Sequence, residues 1–186
     1  MSFQRILEID ARLSQKMRVA EKPGALRNIS VFFAHSGDSW FWAIALIALW
    51  IGGTSFWKEW AVMQFVSISV MIVVVMSIKF LVRRRRPEGE WGGIYRNTDP
   101  HSFPSGHAAR AFLIAVVASG LGPVGVAILL WIWAPLVALA RVAMGVHYTS
   151  DIIAGMLLGI FIALIGLQIQ EPLFQWIFGL IGFSLW

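Results

Sequence analysis

The sequence predicts an all-α membrane protein: a helix bundle of five spans, or six if the last residues also cross, preceded by an amphipathic helix at the membrane surface. Of its 186 residues, 58% are hydrophobic and only 13% are charged. The mean hydropathy is +0.73, which is far from the balance of a soluble domain. The charges are concentrated in the first forty residues and in residues 79–110. The uncharged runs outside these regions are long enough to cross a bilayer.

The N-terminal segment, residues 1–38, is expected to lie at the membrane surface. Over residues 1–22, apolar residues such as Ile6, Ile9 and Leu13 alternate with charged ones at helical spacing. This pattern indicates an amphipathic helix that either lies in the membrane interface or packs on the protein itself. The segment lacks a basic stub followed by an apolar core and a small-residue cleavage site, so we expect no cleavable signal peptide.

The apolar runs define the spans of a single membrane domain, residues 1–186. The spans are expected at residues 40–56, 61–82, 105–121, 124–144 and 150–167. The last fifteen residues, 172–186, are also apolar and would cross or re-enter as a sixth segment. Gly155 and Gly159, four positions apart, would let the fifth span approach a neighbouring helix closely, unless they are an incidental pair.

This order of spans brings polar residues from four helix ends to one face of the membrane. Ionisable residues at or inside a span are costly, so such a group needs a partner or a ligand. The group consists of Lys79, Arg86, His107, Arg141, His147 and Asp151.

The first motif is Lys79 followed by Arg86 at the end of the second span. On a continuous helix, residues seven positions apart lie on the same side, so this face would offer two cations to an anion. The alternative is that residues 83–86, a run of four arginines, only set the topology and reach towards lipid headgroups.

The second motif is Ser105, Gly106 and His107, which open the third span. Backbone N–H groups at the start of a helix lack intrahelical partners and carry the positive end of the helix dipole, so they suit a phosphate oxygen. Gly106 would allow close approach to the backbone. The alternative is an ordinary helix cap.

The third motif is Arg141, then His147 and Asp151. On a helix, His147 and Asp151 would be neighbours, and the carboxylate could hold the imidazole tautomer and stabilise its cation. This pairing is typical of a base and its orienting group in nucleophilic sites. An ordinary polar pair is the alternative.

Together these motifs resemble those of the type 2 phosphatidic acid phosphatase superfamily, which also includes glucose-6-phosphatase-like and vanadium haloperoxidase-like enzymes. The resemblance covers residues 79–151, the predicted catalytic region. The family commonly has a serine before the third-motif arginine, where this chain has Ala140. The matching residues are Lys79, Arg86, Pro87, Pro104, Ser105, Gly106, His107, Arg141, His147 and Asp151.

The resemblance implies an integral membrane lipid phosphatase. In it, His147 would attack phosphorus to form a phosphohistidine, Asp151 would orient His147, and His107 would protonate the leaving oxygen. The resemblance assigns phosphate binding to Lys79, Arg86, Ser105, the Gly106 amide and Arg141.

The residue types themselves favour a site without a metal or another cofactor. The group is cationic or imidazole with one carboxylate, which lacks the oxygen cluster that Mg²⁺ prefers. A zinc site built from His101, His107 and His147 is the alternative, but the neighbouring arginines would repel Zn²⁺. The chain has no cysteine, which excludes thiolate chemistry.

We therefore expect the membrane and a lipid phosphate as partners and no nucleic acid, while the oligomeric state cannot be read from the sequence. Undecaprenyl diphosphate, phosphatidic acid, phosphatidylglycerol phosphate and lipid A phosphates all fit, with an isoprenoid diphosphate or a glycerolipid phosphate favoured. A lipid phosphotransferase using the same intermediate and a non-enzymatic anion or lipid transporter are the rival functions.

We expect a multi-pass protein of the cell membrane, in a bacterium the inner membrane. Five spans put the basic N-terminal segment on the same face as the site, and the positive-inside rule then favours the cytoplasmic face. Bacterial members of the family it resembles more often act on the opposite face, so the sequence leaves both orientations open.

Overall fold

The computed structural model describes residues 3–96 and 99–181. Within these ranges the regular elements are all helices, apart from one isolated bridge between Arg85 and His101. The predicted all-α class is therefore confirmed. The helices are α1 (Phe3–Lys16), α2 (Ala25–Ser36), α3 (Ser39–Gly52), α4 (Ser55–Val82), α5 (Glu90–Arg96), α6 (Gly106–Leu121), α7 (Val124–Ala143) and α8 (Thr149–Ile181).

Three helices in the described part of the chain are long and apolar enough to cross a membrane: α4, α7 and the Thr149–Phe174 part of α8. Helices α2 and α3 meet the same criterion together, as one element bent by 55°. The 14 residues of α3 and the 16 residues of α6 reach only about 21 and 24 Å. Three to four candidate spans are thus found where five were expected, because two apolar helices are short of the roughly 30 Å hydrocarbon core.

The N-terminal segment is divided into two helices rather than one. Helix α2 packs against α7 and leads into α3, so it is part of the helix bundle. In α1, Ile6, Ile9 and Leu13 are about half exposed, whereas Asp10 and Ser14 are buried. Helix α1 is therefore amphipathic, with its polar inward face held against the start of α8.

The C-terminal region continues α8 through Pro172 as far as Ile181. No separate helix begins at residue 172 within the described residues, and residues 182–186 of the predicted sixth segment lie outside them.

Helix α6 is the centre of the bundle and packs against α4, α7 and α8. Each of its residues from Ala108 to Ala118 is buried. A side chain at Gly155 of α8 would collide with the Ser105 carbonyl oxygen, and one at Gly159 would collide with the backbone of Ala109. The close approach predicted from these two glycines is confirmed, and it fixes the start of α8 beside the start of α6.

Candidate active site

A cavity of about 310 Å³ lies where α4 and α7 end and where α6 begins. One part of its wall is polar and includes side chains from all three predicted motifs. The other part is apolar and belongs to α4. The lining residues are Lys79, Asp99, Gly106, His107, Arg110, Arg141 and His147 on the polar side, Met71, Ile72, Val75 and Met76 on the apolar side, and Ser39.

Lys79 lines the cavity and Arg86 contacts His147 behind it, and the two residues have different backbone conformations. Helix α4 ends at Val82, and Arg83 adopts a left-handed conformation with φ of 51°. The expectation that one helix face carries both cations is therefore wrong. Pro87 disfavours helical backbone at the preceding Arg86. The non-helical segment turns the Arg86 side chain back into the protein, where only 1% of that side chain is exposed.

Asp99 bridges these two cations and was not predicted. Its Oδ2 accepts a hydrogen bond from Lys79 Nζ and one of 2.8 Å from Arg86 Nη2. Burial alone would raise the pKa of the Asp99 carboxyl, but Lys79 and Arg86 lower it by more, so the net shift is downward. Its only signal in the sequence is an acidic residue in the loop between two cationic motifs, which does not specify this contact.

The start of α6 forms as predicted around Ser105. The Ser105 hydroxyl accepts a hydrogen bond of 3.4 Å from Ala108 N, which caps the helix, and Ser105 N donates to the Asp151 carbonyl at 3.0 Å. Ser105 is fully buried, whereas Gly106 and His107 line the cavity. The cap thus joins the second motif to the third.

His147 lies in the turn before α8 rather than on the helix with Asp151. The predicted helical pairing is therefore wrong in its geometry, although the two side chains are adjacent. Nδ1 of His147 is 3.5 Å from Asp151 Oδ2, and Nε2 is 3.1 Å from Arg86 Nη1. Asp151 Oδ2 instead accepts a 2.9 Å hydrogen bond from Tyr148 N, because a carboxylate in the first turn satisfies the backbone at the helix start.

Burial and the charges around His147 favour the neutral form of its ring. Burial, together with the positive charges of Arg86, Arg141 and Lys79, lowers the pKa of His147 well below its ordinary value of 6.5. A neutral imidazole has a lone pair on one nitrogen. With Nδ1 towards Asp151, Nε2 is the nitrogen that faces the guanidinium of Arg86.

Arg84 holds the other oxygen of Asp151 and was not predicted either. Its Nη1 donates to Asp151 Oδ1 and its Nη2 to Asp10 Oδ2, both at 2.7 Å. Asp10 also accepts a 2.9 Å hydrogen bond from Ser150 N. The N-terminal helix α1 is therefore bound to the first turn of α8 through a buried carboxylate.

Arg141 is 1% exposed, and the preceding Ala140 is buried against Ala20, Ala34 and Met144. The place where the family commonly has a serine is thus apolar in this chain.

The structure brings together all eight residues singled out by the sequence, of which Ser105 and Asp151 are fully buried beside the cavity rather than part of its lining. Arg86 is joined to this cluster by its contact with His147. Within the described residues, no three His, Asp or Glu side chains are grouped closely enough to hold a metal ion. His101 does not line this cavity but lies in a neighbouring surface recess, which Arg83, Arg85 and Arg86 also line. The cationic side chains of Lys79, Arg110 and Arg141, which line the cavity, are suited to an anion.

The family model of the PAP2 superfamily matches residues 59–175. An undecaprenyl-diphosphatase from Sulfolobus acidocaldarius is 31% identical over 150 residues, which cover 78% of this chain and 71% of that protein. A decaprenylphosphoryl-5-phosphoribose phosphatase from Mycobacterium tuberculosis is 31% identical over 159 residues, covering 82% of this chain and 84% of its own length.

Two solved structures are similar to this one. The crystal structure of LpxE from Aquifex aeolicus has a TM-score of 0.66 and 28% identity, and the match covers 83% of this chain and 93% of that one. A transmembrane PAP2-type phosphatidylglycerolphosphate phosphatase from Bacillus subtilis has a TM-score of 0.73, with coverage of 90% and 87%. At 22% identity, the second likeness shows the fold alone.

Proposed function

The chain belongs to the PAP2 superfamily, and on that premise we propose that it is a membrane lipid phosphatase that works through a phosphohistidine on His147. The observation that carries this proposal is the shared cavity. Two imidazoles, His107 and His147, and the cations Lys79 and Arg141 line one side of it, while apolar residues of α4 line the other. A molecule with a phosphate and a hydrocarbon chain matches both sides.

In the proposed reaction, Nε2 of His147 attacks phosphorus and the bond from phosphorus to the leaving oxygen breaks. His107 gives a proton to that oxygen. Water then attacks the phosphohistidine, and His107 takes a proton from the water as inorganic phosphate leaves. Phosphoryl transfer depends mainly on positioning and on neutralising charge at the equatorial oxygens. Lys79, Arg86, Arg141, the Gly106 amide and the Ser105 hydroxyl supply that neutralisation in our proposal.

We propose an isoprenoid phosphate or diphosphate as the substrate class. The two 31%-identical relatives are named for polyprenyl substrates, undecaprenyl diphosphate and decaprenylphosphoryl-5-phosphoribose. The apolar side of the cavity, Met71, Ile72, Val75 and Met76, follows one face of α4 away from Lys79. A long chain can therefore lie along α4 in the bilayer while its phosphate is at the cations. A glycerolipid phosphate is the alternative substrate class, against which the isoprenoid substrate should be compared.

We further propose five crossings of the cell membrane, with the α2–α3 pair and α6 counted as spans. Support comes from two hairpins of apolar helices. Helix α3 packs against α4 in the first hairpin, and α6 packs against α7 in the second. The short α6 is buried by its neighbours, so it does not need the full hydrocarbon thickness for itself. The contact of Asp10 with Arg84 supports an α1 on the same membrane face as the site.

The test of function is phosphate release by the purified protein in lipid nanodiscs. Undecaprenyl diphosphate, undecaprenyl phosphate, phosphatidic acid and phosphatidylglycerol phosphate are offered in parallel, and both free phosphate and phosphorylated lipid products are measured. We expect free phosphate, greatest from a polyprenyl substrate and unchanged by EDTA. His147→Ala should abolish release, while the matched control His101→Ala should retain it. Equal release by His147→Ala, or loss in EDTA that Mg²⁺ restores, would refute the mechanism.

A single introduced cysteine tests the orientation, because the chain has none of its own. Glu88 is exposed beside the first motif, so Glu88→Cys reports the face on which the cavity opens. The basic residues of α1 favour the cytoplasmic face. If the cavity opens on that face, a membrane-impermeant maleimide labels Glu88→Cys only in lysed cells. Labelling of intact cells would contradict that orientation.

A further inference from the structure

Asp38 lies at the bend between α2 and α3, and its carboxylate contacts His107. Asp38 Oδ1 is 2.7 Å from His107 Nε2. The other oxygen, Oδ2, is 2.9 Å from His35 Nδ1 and accepts a 3.2 Å hydrogen bond from Trp40 Nε1. Both carboxylate oxygens of Asp38 are therefore in polar contact with neighbouring side chains. Asp38 belongs to none of the three predicted motifs.

The chain around Asp38 is shaped to bring it to α6. A Cβ atom at Gly37 would lie 2.7 Å from Val137 Cγ1 and 3.3 Å from His107 Cδ2. The carbonyl of Gly37 accepts a hydrogen bond from the Arg110 guanidinium. Glycine is thus needed for the close approach, and the bend is tied to α6 at residues 107 and 110.

The charges that face His107 would otherwise oppose its protonation. Arg110 and Arg141 line the same cavity, and nearby positive charges disfavour an imidazolium. The carboxylate of Asp38 is the negative group in direct contact with the ring. His35, the remaining titratable group of this cluster, contacts the far oxygen of Asp38. Asp38 thus offsets part of the effect of the two arginines at the ring that carries a proton in the proposed reaction.

We propose that Asp38 is a positioning residue that holds the Nε2–H of His107 and stabilises its imidazolium, so that Nδ1–H is the proton delivered to the leaving oxygen. The proposal rests on the phosphatase function proposed above. When His147 forms its bond to phosphorus, the leaving oxygen takes the Nδ1 proton, and His107 becomes the neutral tautomer still bonded to Asp38. In the second step, Nδ1 takes a proton from the attacking water, which regenerates the imidazolium. An aspartate oriented in this way fixes both the tautomer and the ring.

This role predicts a dependence on the leaving group that a purely structural role does not. An alkoxide is a poor leaving group and needs the proton, whereas a nitrophenolate leaves without it. General acid catalysis contributes typically about 10²–10⁴-fold. Loss of Asp38 should therefore slow hydrolysis of an alkyl phosphate far more than that of a nitrophenyl phosphate.

The experiment compares Asp38→Asn with the wild type on two substrates in nanodiscs. One is the lipid monophosphate that the wild type hydrolyses fastest, and the other is a nitrophenyl phosphate with an alkyl chain on its ring. We expect kcat/KM to fall about 100-fold or more on the first and less than tenfold on the second. In a His107→Ala background, Asp38→Asn should cause no further selective loss, because coupled residues are not additive.

Glu59→Gln is the matched control, since Glu59 is near the opposite end of α4 from Lys79, about 30 Å along the helix, and should leave both rates unchanged. Asparagine and serine both suit the helix start where Asp38 lies, so Asp38→Ser repeats the comparison if Asp38→Asn does not fold. An equal loss on both substrates would overturn the role of Asp38 while leaving the phosphatase intact. Absence of phosphate release by the wild type would instead overturn the proposed function.

Discussion

Nη1 of Arg86 lies 3.1 Å from Nε2 of His147, so a guanidinium stands beside the nitrogen proposed to attack phosphorus. The same guanidinium donates to the carbonyl of Val146 at 2.9 Å and to both the carbonyl and the carboxylate of Asp99. Arg86 is thus fixed by three backbone and side-chain acceptors. In the reaction proposed above, this position would set where the equatorial oxygens of a phosphate lie relative to His147.

Replacement of Arg86 should reduce turnover according to how much of this geometry is kept. Arg86→Gln removes the charge, and loss of one positioned donor in an anion-stabilising site typically costs about 10²–10³-fold in kcat. Arg86→Lys keeps the charge but not the planar fork, so we expect a smaller loss. The kcat for phosphate release measures both effects. Arg83→Gln, at an exposed neighbour, should be close to wild type, and a loss as large as that of Arg86→Gln would argue against a specific role.

The pH dependence of kcat/KM should report the low pKa of His147. Because burial and the charges of Arg86, Arg141 and Lys79 lower this pKa, the neutral ring should persist to lower pH than that of an unperturbed histidine. The acid limb of the profile should therefore lie below about 6.5, the value of an unperturbed histidine. Arg86→Gln removes a repelling charge and should move this limb to higher pH, whereas Arg86→Lys should not. If the pH of the acid limb is the same in the wild type and in both variants, ionisation of His147 is excluded as its cause.

Close packing of α8 on α6 predicts that alanine is not tolerated at Gly159. The added methyl group would collide with the backbone of Ala109, and overpacking typically costs about 1–3 kcal/mol. We expect a lower thermal midpoint for Gly159→Ala in detergent and reduced activity, since this contact holds the first turns of α8 beside those of α6. Gly125→Ala on α7 meets nothing within 4 Å and serves as the control. Equal midpoints for the two variants would show that the helices can separate without cost.

The carboxylate of Asp10 should matter for stability and for turnover, because it caps α8 and holds Arg84. Asp10→Asn weakens the ion pair with Arg84 and the hydrogen bond from Ser150 N, and loss of a helix cap costs about 0.5–2 kcal/mol. Arg84 also orients Asp151, so kcat should fall more than KM changes. Steady-state kinetics and thermal unfolding in detergent provide the measurements. Glu8→Gln, on the exposed side of the same helix, should change neither.

The sequence predicted which residues lie close together better than it predicted the backbone that carries them. Lys79 and Arg86 were expected on one helix face, and His147 and Asp151 on another, because their spacings fit helical turns. In both cases a helix end intervenes, with Arg83 in a left-handed conformation and His147 in the turn before α8. Element boundaries depend on capping contacts from other parts of the chain, such as Asp10 and Ser14 on α8, which spacing cannot reveal.

Asp38, Arg84 and Asp99 were missed for a related reason. Each is a charged residue in a bend or loop, and its role comes from a partner more than ten positions away: His107, Asp151 or Lys79. Arg110 did give a signal, since a buried arginine in an apolar helix needs a partner. That partner, the carbonyl of Gly37, could not be named without the fold.

The sequence by itself determined the membrane class and the helical bundle, and it predicted the chemistry of the site, because hydropathy and side-chain type are local properties of the chain. Only the tertiary structure decided which charged partners contact the predicted site residues. Asp38 contacts His107, Asp99 lies between Lys79 and Arg86, and Arg84 joins Asp151 to Asp10. These pairs depend on distances of a few ångströms between segments far apart in sequence. Buried charges must be neutralised at close range, and which opposite charge is close enough is settled only when the helices pack.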